Sequence, residues 1–115
     1  MYQYSYSEIL EDSVTDGRAA ERRALDHAAD LLLAAAETAP GSRAEQEALA
    51  FTSQLWGIFI KSLTSPDNDL PAKLRADLIS VGLGILAEIA RIDTGDSRDL
   101  AALADICGII RDGLA

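Results

Sequence analysis

The chain has 115 residues, with ten basic and nineteen acidic side chains and a formal net charge of −9 at neutral pH. With 49% apolar residues it can build one hydrophobic core, so we expect a single domain over residues 1–115 rather than a disordered chain. Direct binding of nucleic acid is not expected, because neutralising phosphates needs clustered Lys and Arg side chains. The same charge disfavours adhesion to an anionic membrane surface.

The apolar residues are too dispersed for a membrane-spanning helix. The longest uncharged run, Ala48 to Ile60, falls far short of the roughly 20 apolar residues that a spanning helix needs. The N-terminal sequence MYQYSYSEILEDS has neither the basic start nor the apolar stretch of a signal peptide. Cys107 is the only cysteine, so no intramolecular disulfide is expected. We therefore expect a cytoplasmic protein.

In chain order, the first element is the least regular. Tyr2, Tyr4 and Tyr6 alternate with other residues, which is typical of an extended arm. The overlapping sequence SYSEILED also fits one or two turns of helix. For residues 1–14 the pattern therefore leaves two alternatives open, an N-terminal arm or a short helix.

Two helices with clear limits follow. The first is predicted over residues 16–38, where Ala and Leu recur at helical spacing before the helix-ending pair Pro-Gly. The second is predicted over residues 42–63 and opens on the sequence SRAE, a capping box in which the Ser and Glu side chains satisfy free backbone N–H groups. Its second half, LWGIFI, is apolar on all sides, and such a helix is normally buried on all sides. We therefore expect the second helix to be central.

Turn-forming residues, Ser-Pro followed by Asp-Asn-Asp, separate the second helix from a third. The third helix is predicted over residues 71–93 and the fourth, after Gly95, over residues 97–112. Two apolar stripes leave the third helix only a narrow polar seam, and Gly82 or Gly84 would permit a close helix crossing. The predicted fold class is therefore all-α, a small bundle of about four helices with short connections, helices 2 and 3 being central.

No arrangement of residues indicates catalysis, a metal site or a cofactor site. His27 is the only histidine and has no second ligand or nucleophile at a matching spacing, and Cys107 lies among apolar residues. The sequence DND at residues 67–69 lacks the rest of a calcium-binding loop. The sequence GLG at residues 82–84 lacks the strand and the third glycine of a dinucleotide fingerprint. We therefore expect a non-enzymatic protein that uses no cofactor.

Binding to another protein is the function class that remains. Aromatic side chains in an apolar helix usually fill a core, yet they also dominate interfaces, so the sequence leaves both roles open for Trp56. The N-terminal tyrosines are better surface candidates, because a terminal segment has fewer partners within the chain. The candidate partner-binding residues are Tyr2, Tyr4, Tyr6, Trp56, Phe59, Leu70 and Leu74.

Five stretches follow one another in a characteristic order: YSEILEDS near the N-terminus, ERRALDHAADLL in the first helix, LTSPDNDLP and LRADLISVGL in the centre, and IIRDGL near the C-terminus. Taken together, they resemble the flagellar biosynthesis regulator FlaF family. The resemblance covers nearly the whole chain and rests on the order and spacing of these stretches. Gly84 is a departure, since a bulky residue is expected at this position.

The resemblance implies a role in flagellin production and export. Flagellin termini are helical and prone to polymerise, so the simplest mechanism is a chaperone or export adaptor that binds a flagellin helix in an apolar groove. The alternative is post-transcriptional regulation of flagellin translation through the RNA-binding partner FlbT, since the acidic charge disfavours RNA contact by this chain itself. Flagellin and FlbT are therefore the expected partners, and the oligomeric state stays open.

Overall fold

The computed structural model describes residues 17–114, so the predicted N-terminal arm or short helix lies outside the described part. This part folds into four α-helices and contains no strand: α1 (Gly17–Ala36), α2 (Arg43–Leu63), α3 (Ala72–Asp93) and α4 (Leu100–Gly113). The predicted all-α class and the short connections are confirmed. Between residues 17 and 114 no helix is both long enough and apolar enough to cross a membrane.

Local capping chemistry sets the turn between α1 and α2. Gly41 takes a left-handed backbone conformation with φ of 76°, which glycine tolerates without steric cost. Ser42 Oγ then accepts a hydrogen bond from the Glu45 N–H at 3.1 Å, as the predicted capping box requires. The Glu45 carboxylate accepts from the N–H of Gly41 at 2.9 Å rather than from that of Ser42. The reciprocal bond of the box is therefore shifted by one residue.

The connections on either side of α3 are stabilised in a similar way. Before α3, the Asn68 side-chain amide donates to the Ser62 carbonyl at 3.2 Å and closes the loop. After α3, Gly95 has φ of 82°, a left-handed conformation that commonly ends helices. Asp99 then caps α4 by accepting from the Ala102 N–H at 3.1 Å. A side-chain hydrogen bond, a left-handed glycine or both thus stabilise each of these short connections.

The helices do not share the core equally. α2 is central, because it contacts both α1 and α3. The second central helix is α1, which contacts α2 and α4, whereas α3 contacts chiefly α2 and was expected to be central. The reason is the small side chains that α1 buries, since they let two neighbouring helices approach closely. The buried alanines of α1 are Ala20, Ala24, Ala28, Ala29 and Ala35.

α3 crosses α2 closely at Gly82. A Cβ atom at this position would lie 2.7 Å from Cε3 of Trp56 and 2.9 Å from Cδ1 of Ile60, so no larger residue fits without movement. A Cβ atom on Gly84 would meet nothing within 4 Å. Of the two glycines that the sequence offered for a close crossing, Gly82 is therefore the one that α2 requires.

Candidate partner-binding groove

An apolar groove runs between α3 and α4, and we call it the α3/α4 groove. α3 packs chiefly on α2 and α4 on α1, so a cleft of about 550 Å³ is left between them. No helix of the part that the structure describes covers this cleft. Its apolar walls are formed by Val81, Gly84, Ile85, Ala102, Leu103 and Ile106.

Two exposed aliphatic side chains extend the apolar surface beyond the cleft. Leu74 is 40% exposed and lies two helical turns before Val81 on the same face of α3. Ile109 is 61% exposed and lies one turn beyond Ile106 on α4. Single exposed apolar residues are ordinary on protein surfaces, but two that border one apolar cleft make the cleft a candidate site for a partner.

Acidic residues lie at the other end of the groove, and each already has a partner. Glu88 accepts a hydrogen bond from the Ser97 hydroxyl and lies 3.7 Å from Nε of Arg91. Asp99 is engaged in capping α4 through the Ala102 N–H. The middle of the groove is therefore apolar and uncharged, which suits apolar side chains of a partner better than a charged ligand.

The structure places the predicted partner-binding residues in different settings. Trp56 and Phe59 are buried in the core, with ring centroids 5.2 Å apart, so Trp56 has the first of the two roles that the sequence left open. Leu70 is half-buried and packs against that core. Leu74 borders the α3/α4 groove and is the exposed member of these four. Outside the described part lie Tyr2, Tyr4 and Tyr6.

Trp56 lies at the back of the groove, between α3 and α4. Its ring packs against Gly82. Its indole N–H lies near Cys107, and this proximity alone would lower the pKa of the thiol. The N–H forms no hydrogen bond of normal geometry with any acceptor among residues 17–114. Burial nevertheless raises the pKa of the Cys107 thiol, because desolvation outweighs the effect of the indole. A buried thiol that stays protonated acts as a small core side chain, not as a nucleophile.

The other polar features of the described residues connect helices to one another. His27 packs edge-on against Phe51, with ring centroids 4.8 Å apart. Near the start of α1, burial raises the pKa of the Glu21 carboxyl more strongly than the Arg18 guanidinium lowers it. Arg18 also contacts Asp69 at 2.7 Å, which ties α1 to the loop before α3. No group of three or more His, Cys, Asp or Glu side chains within residues 17–114 is arranged to hold a metal ion.

Sequence reasoning did not identify the groove, although one signal for it was present. Leu100, Leu103 and Cys107 form a buried stripe on α4, and this stripe is enough to cover one neighbouring helix. Ile106 and Ile109 widen the apolar arc beyond that stripe. An apolar arc wider than one helix contact favours a second neighbouring helix or a partner. The sequence does not show that α3 leaves this wider apolar surface of α4 uncovered.

The fold and the groove together define a small all-α bundle with an open apolar surface between two of its helices. The model of one family, described as Flagellar protein FlaF, matches residues 2–114. The chain belongs to the FlaF family, as the resemblance of its sequence stretches indicated. No curated protein and no solved structure gives a significant match.

Proposed function

We propose that this chain promotes flagellin production and export in the cytoplasm by binding unassembled flagellin as a secretion chaperone. Its FlaF-family membership makes it a flagellar protein. The α3/α4 groove is the observation that supports the finer role, because it offers apolar walls and exposed aliphatic borders. The net charge of −9 supports a protein ligand over RNA, since it opposes contact with phosphates.

The dimensions of the groove suit an amphipathic helix. From Leu74 to Glu88 the α3 wall is about 21 Å long, at a rise of about 1.5 Å per residue. A partner helix of about four turns would lie along this wall and present apolar side chains at three- and four-residue spacing. The sequence resemblance supplies the candidate, because the helical termini of unassembled flagellin carry such surfaces.

Calorimetric titration of the purified full chain with monomeric flagellin tests the proposal. We expect saturable heat with the negative heat-capacity change that apolar burial produces. The same titration is repeated with FlbT. Heat with FlbT and none with flagellin would overturn the chaperone proposal in favour of regulation of flagellin translation.

Two matched variants connect the binding to the groove. Ile109→Ser removes an exposed aliphatic side chain at the border of the groove, and we expect it to weaken flagellin binding about 5- to 30-fold. Leu83→Ser is the control, because Leu83 is similarly exposed but lies across α3 from Val81. Equal weakening by the two variants would show that the groove is not the binding surface.

A further inference from the structure

The α3/α4 groove has apolar walls on two helices that hardly touch each other. Val81 and Ile106 face it while remaining only half-buried, and Leu74 and Ile109 are exposed beside it. Leaving such a surface in water is unfavourable in proportion to its apolar area. A cover supplied by the same chain would remove this cost whenever no partner is bound.

The chain enters the described part at the end of the molecule where this groove begins. Gly17 lines a hollow with Ser62 and the loop residues 67–69, which directly precede α3. The Arg22 Nη1 atom donates to the Leu114 carbonyl at 2.9 Å, which brings the C-terminal end of α4 to the same place. Gly17, the first described residue, therefore lies beside the start of α3 and the end of α4.

Sixteen residues precede Gly17, and this is enough chain to follow the groove. The distance along α3 from Ala72 to Glu88 is about 24 Å at a rise of about 1.5 Å per residue. Sixteen residues span about 24 Å as a helix and roughly twice that when extended. The segment can thus reach the whole groove in either conformation.

The sequence of this segment carries the matching apolar pattern. Tyr6, Leu10 and Val14 are spaced by four residues, and Ile9 widens the stripe that they form. The acidic residues of the segment fall at intervening positions and would face solvent. An amphipathic stretch of this length is the kind of ligand that the groove suits.

We propose that residues 6–14 dock in the α3/α4 groove in cis and are its occupant when no partner is bound. Docking covers the half-buried side chains of α3 and α4 and completes the bundle. A helical partner then binds only after displacing the segment, and this consequence alone rests on the proposed function. The docking itself concerns the isolated chain.

The aromatic residues of the chain provide a direct readout. All of its tyrosines, Tyr2, Tyr4 and Tyr6, lie in the segment, and its only tryptophan, Trp56, lies at the back of the groove. Tyrosine excitation of the full-length protein should therefore produce tryptophan emission by energy transfer. We expect Leu10→Asp to abolish most of this transfer. Thr15→Asp, which adds the same charge on the opposite side of the predicted stripe, should preserve it.

A double-mutant cycle in urea unfolding measures the contact itself. Leu10→Asp and Ile106→Asp should each raise the unfolding equilibrium constant about 5- to 30-fold. The double variant should raise it by much less than the product of the two single increases. Leu10→Asp combined with Leu83→Asp should give the full product, because Leu83 lies outside the groove. If Ile106→Asp fails to fold, the energy-transfer comparison still decides, because it changes only the segment.

Two results would overturn the docking proposal. One is energy transfer that Leu10→Asp leaves unchanged, together with multiplicative effects in the cycle. The other is energy transfer that disappears on dilution, which would assign the groove to a second copy of the chain. Neither measurement contains flagellin, so failure of docking and failure of the chaperone proposal are separate outcomes.

Discussion

At Gly82, a single hydrogen atom in place of a side chain decides how closely α3 approaches α2. Alanine would place its Cβ 2.7 Å from the buried Trp56 ring and 2.9 Å from Ile60. We expect Gly82→Ala to lower the free energy of unfolding, since overpacking costs about 1–3 kcal/mol. This exceeds the gain of about 1 kcal/mol that alanine brings within a helix. Urea denaturation followed by Trp56 fluorescence measures the difference.

Gly84 is the matched control for this substitution, because it lies on the same helix and a Cβ there would meet nothing within 4 Å. Gly84→Ala should therefore stabilise the protein by about 0.5–1 kcal/mol through helix propensity alone. Stabilisation by both alanines would mean that the helix crossing at Gly82 is looser than these distances indicate.

Trp56 fills the space where α2, α3 and α4 meet, and it is fully buried. Trp56→Ala should lower the free energy of unfolding by about 3–5 kcal/mol, because a large cavity replaces the indole. Trp56→Phe should cost less, since most of the ring volume stays and a buried N–H that has no hydrogen-bond acceptor among residues 17–114 is removed. Thermal and urea unfolding of the two variants test this ranking. Equal loss in both variants would assign the indole nitrogen an essential role.

At the scale of elements, a polar junction connects α2 with the connection after α1 and the connection before α4. Arg98, in the connection before α4, donates to Glu45 of α2 at 2.9 Å and to the Thr38 carbonyl after α1 at 2.5 Å. Glu45 is buried, so removing Arg98 leaves its carboxylate with the Gly41 N–H but without the guanidinium that pairs with it. Because Arg98 itself is partly exposed, we expect Arg98→Ala to cost about 1.5–3 kcal/mol, the range for hydrogen bonds to charged groups.

The control for the junction is Arg43→Ala. Arg43 pairs with Glu47 at a similar distance of 2.9 Å, but its side chain is 90% exposed. An exposed pair of this kind contributes almost nothing to the free energy of unfolding. Similar losses in both variants would show that the buried setting of Glu45 makes no difference.

Helix existence and helix ends were largely predictable from local chemistry. The predicted second helix, over residues 42–63, compares with Arg43–Leu63 in the structure, because its capping box at Ser42 and the turn residues after it are local signals. The bond from the Gly41 N–H to the Glu45 carboxylate was not predictable, because the same carboxylate also accepts a hydrogen bond from Arg98, which lies far away in the sequence. A contact between residues so far apart in the sequence cannot be predicted from the pattern of a short stretch.

At the scale of the whole molecule, the sequence did not reveal which helices share the core. The apolar content of the third helix predicted a central position, yet Leu83 of that helix is 57% exposed. Instead, α1 is the second helix that contacts two neighbours. Apolar content measures how much surface a helix can bury. The close approach that small residues such as Ala24 and Ala28 allow decides which neighbours bury it.

The candidate site was unpredictable for the same reason. Leu74 was a candidate from the sequence and is exposed on the same face of α3 as Val81. Val81 and Ile106 belong to the candidate site only because α3 and α4 leave a cleft between them. Trp56 and Phe59 were candidates for their aromatic character, which core and interface residues share. Burial separates these roles, and burial is a property of the assembled bundle.

The unequal sharing of the core predicts unequal local stability. α3 contacts chiefly one helix, and less extensively than α4 contacts α1, whereas α1 and α2 each contact two. Segments with few buried contacts open at lower free energy than the rest of a domain. Hydrogen exchange should therefore be fastest in α3 among the helices of residues 17–114, and slowest in α1 and α2. Mass-spectrometric exchange of the full chain, resolved by peptide, measures this order.

The same experiment connects the edge position of α3 with the groove. If the N-terminal segment covers the groove, Leu10→Asp should accelerate exchange in α3 and in the exposed side of α4 while leaving α1 and α2 unchanged. A saturating helical partner should slow exchange in α3 of the wild-type chain. Uniform exchange across all helices would mean that the bundle opens only as a whole, because α3 would then be as firmly held as the central pair.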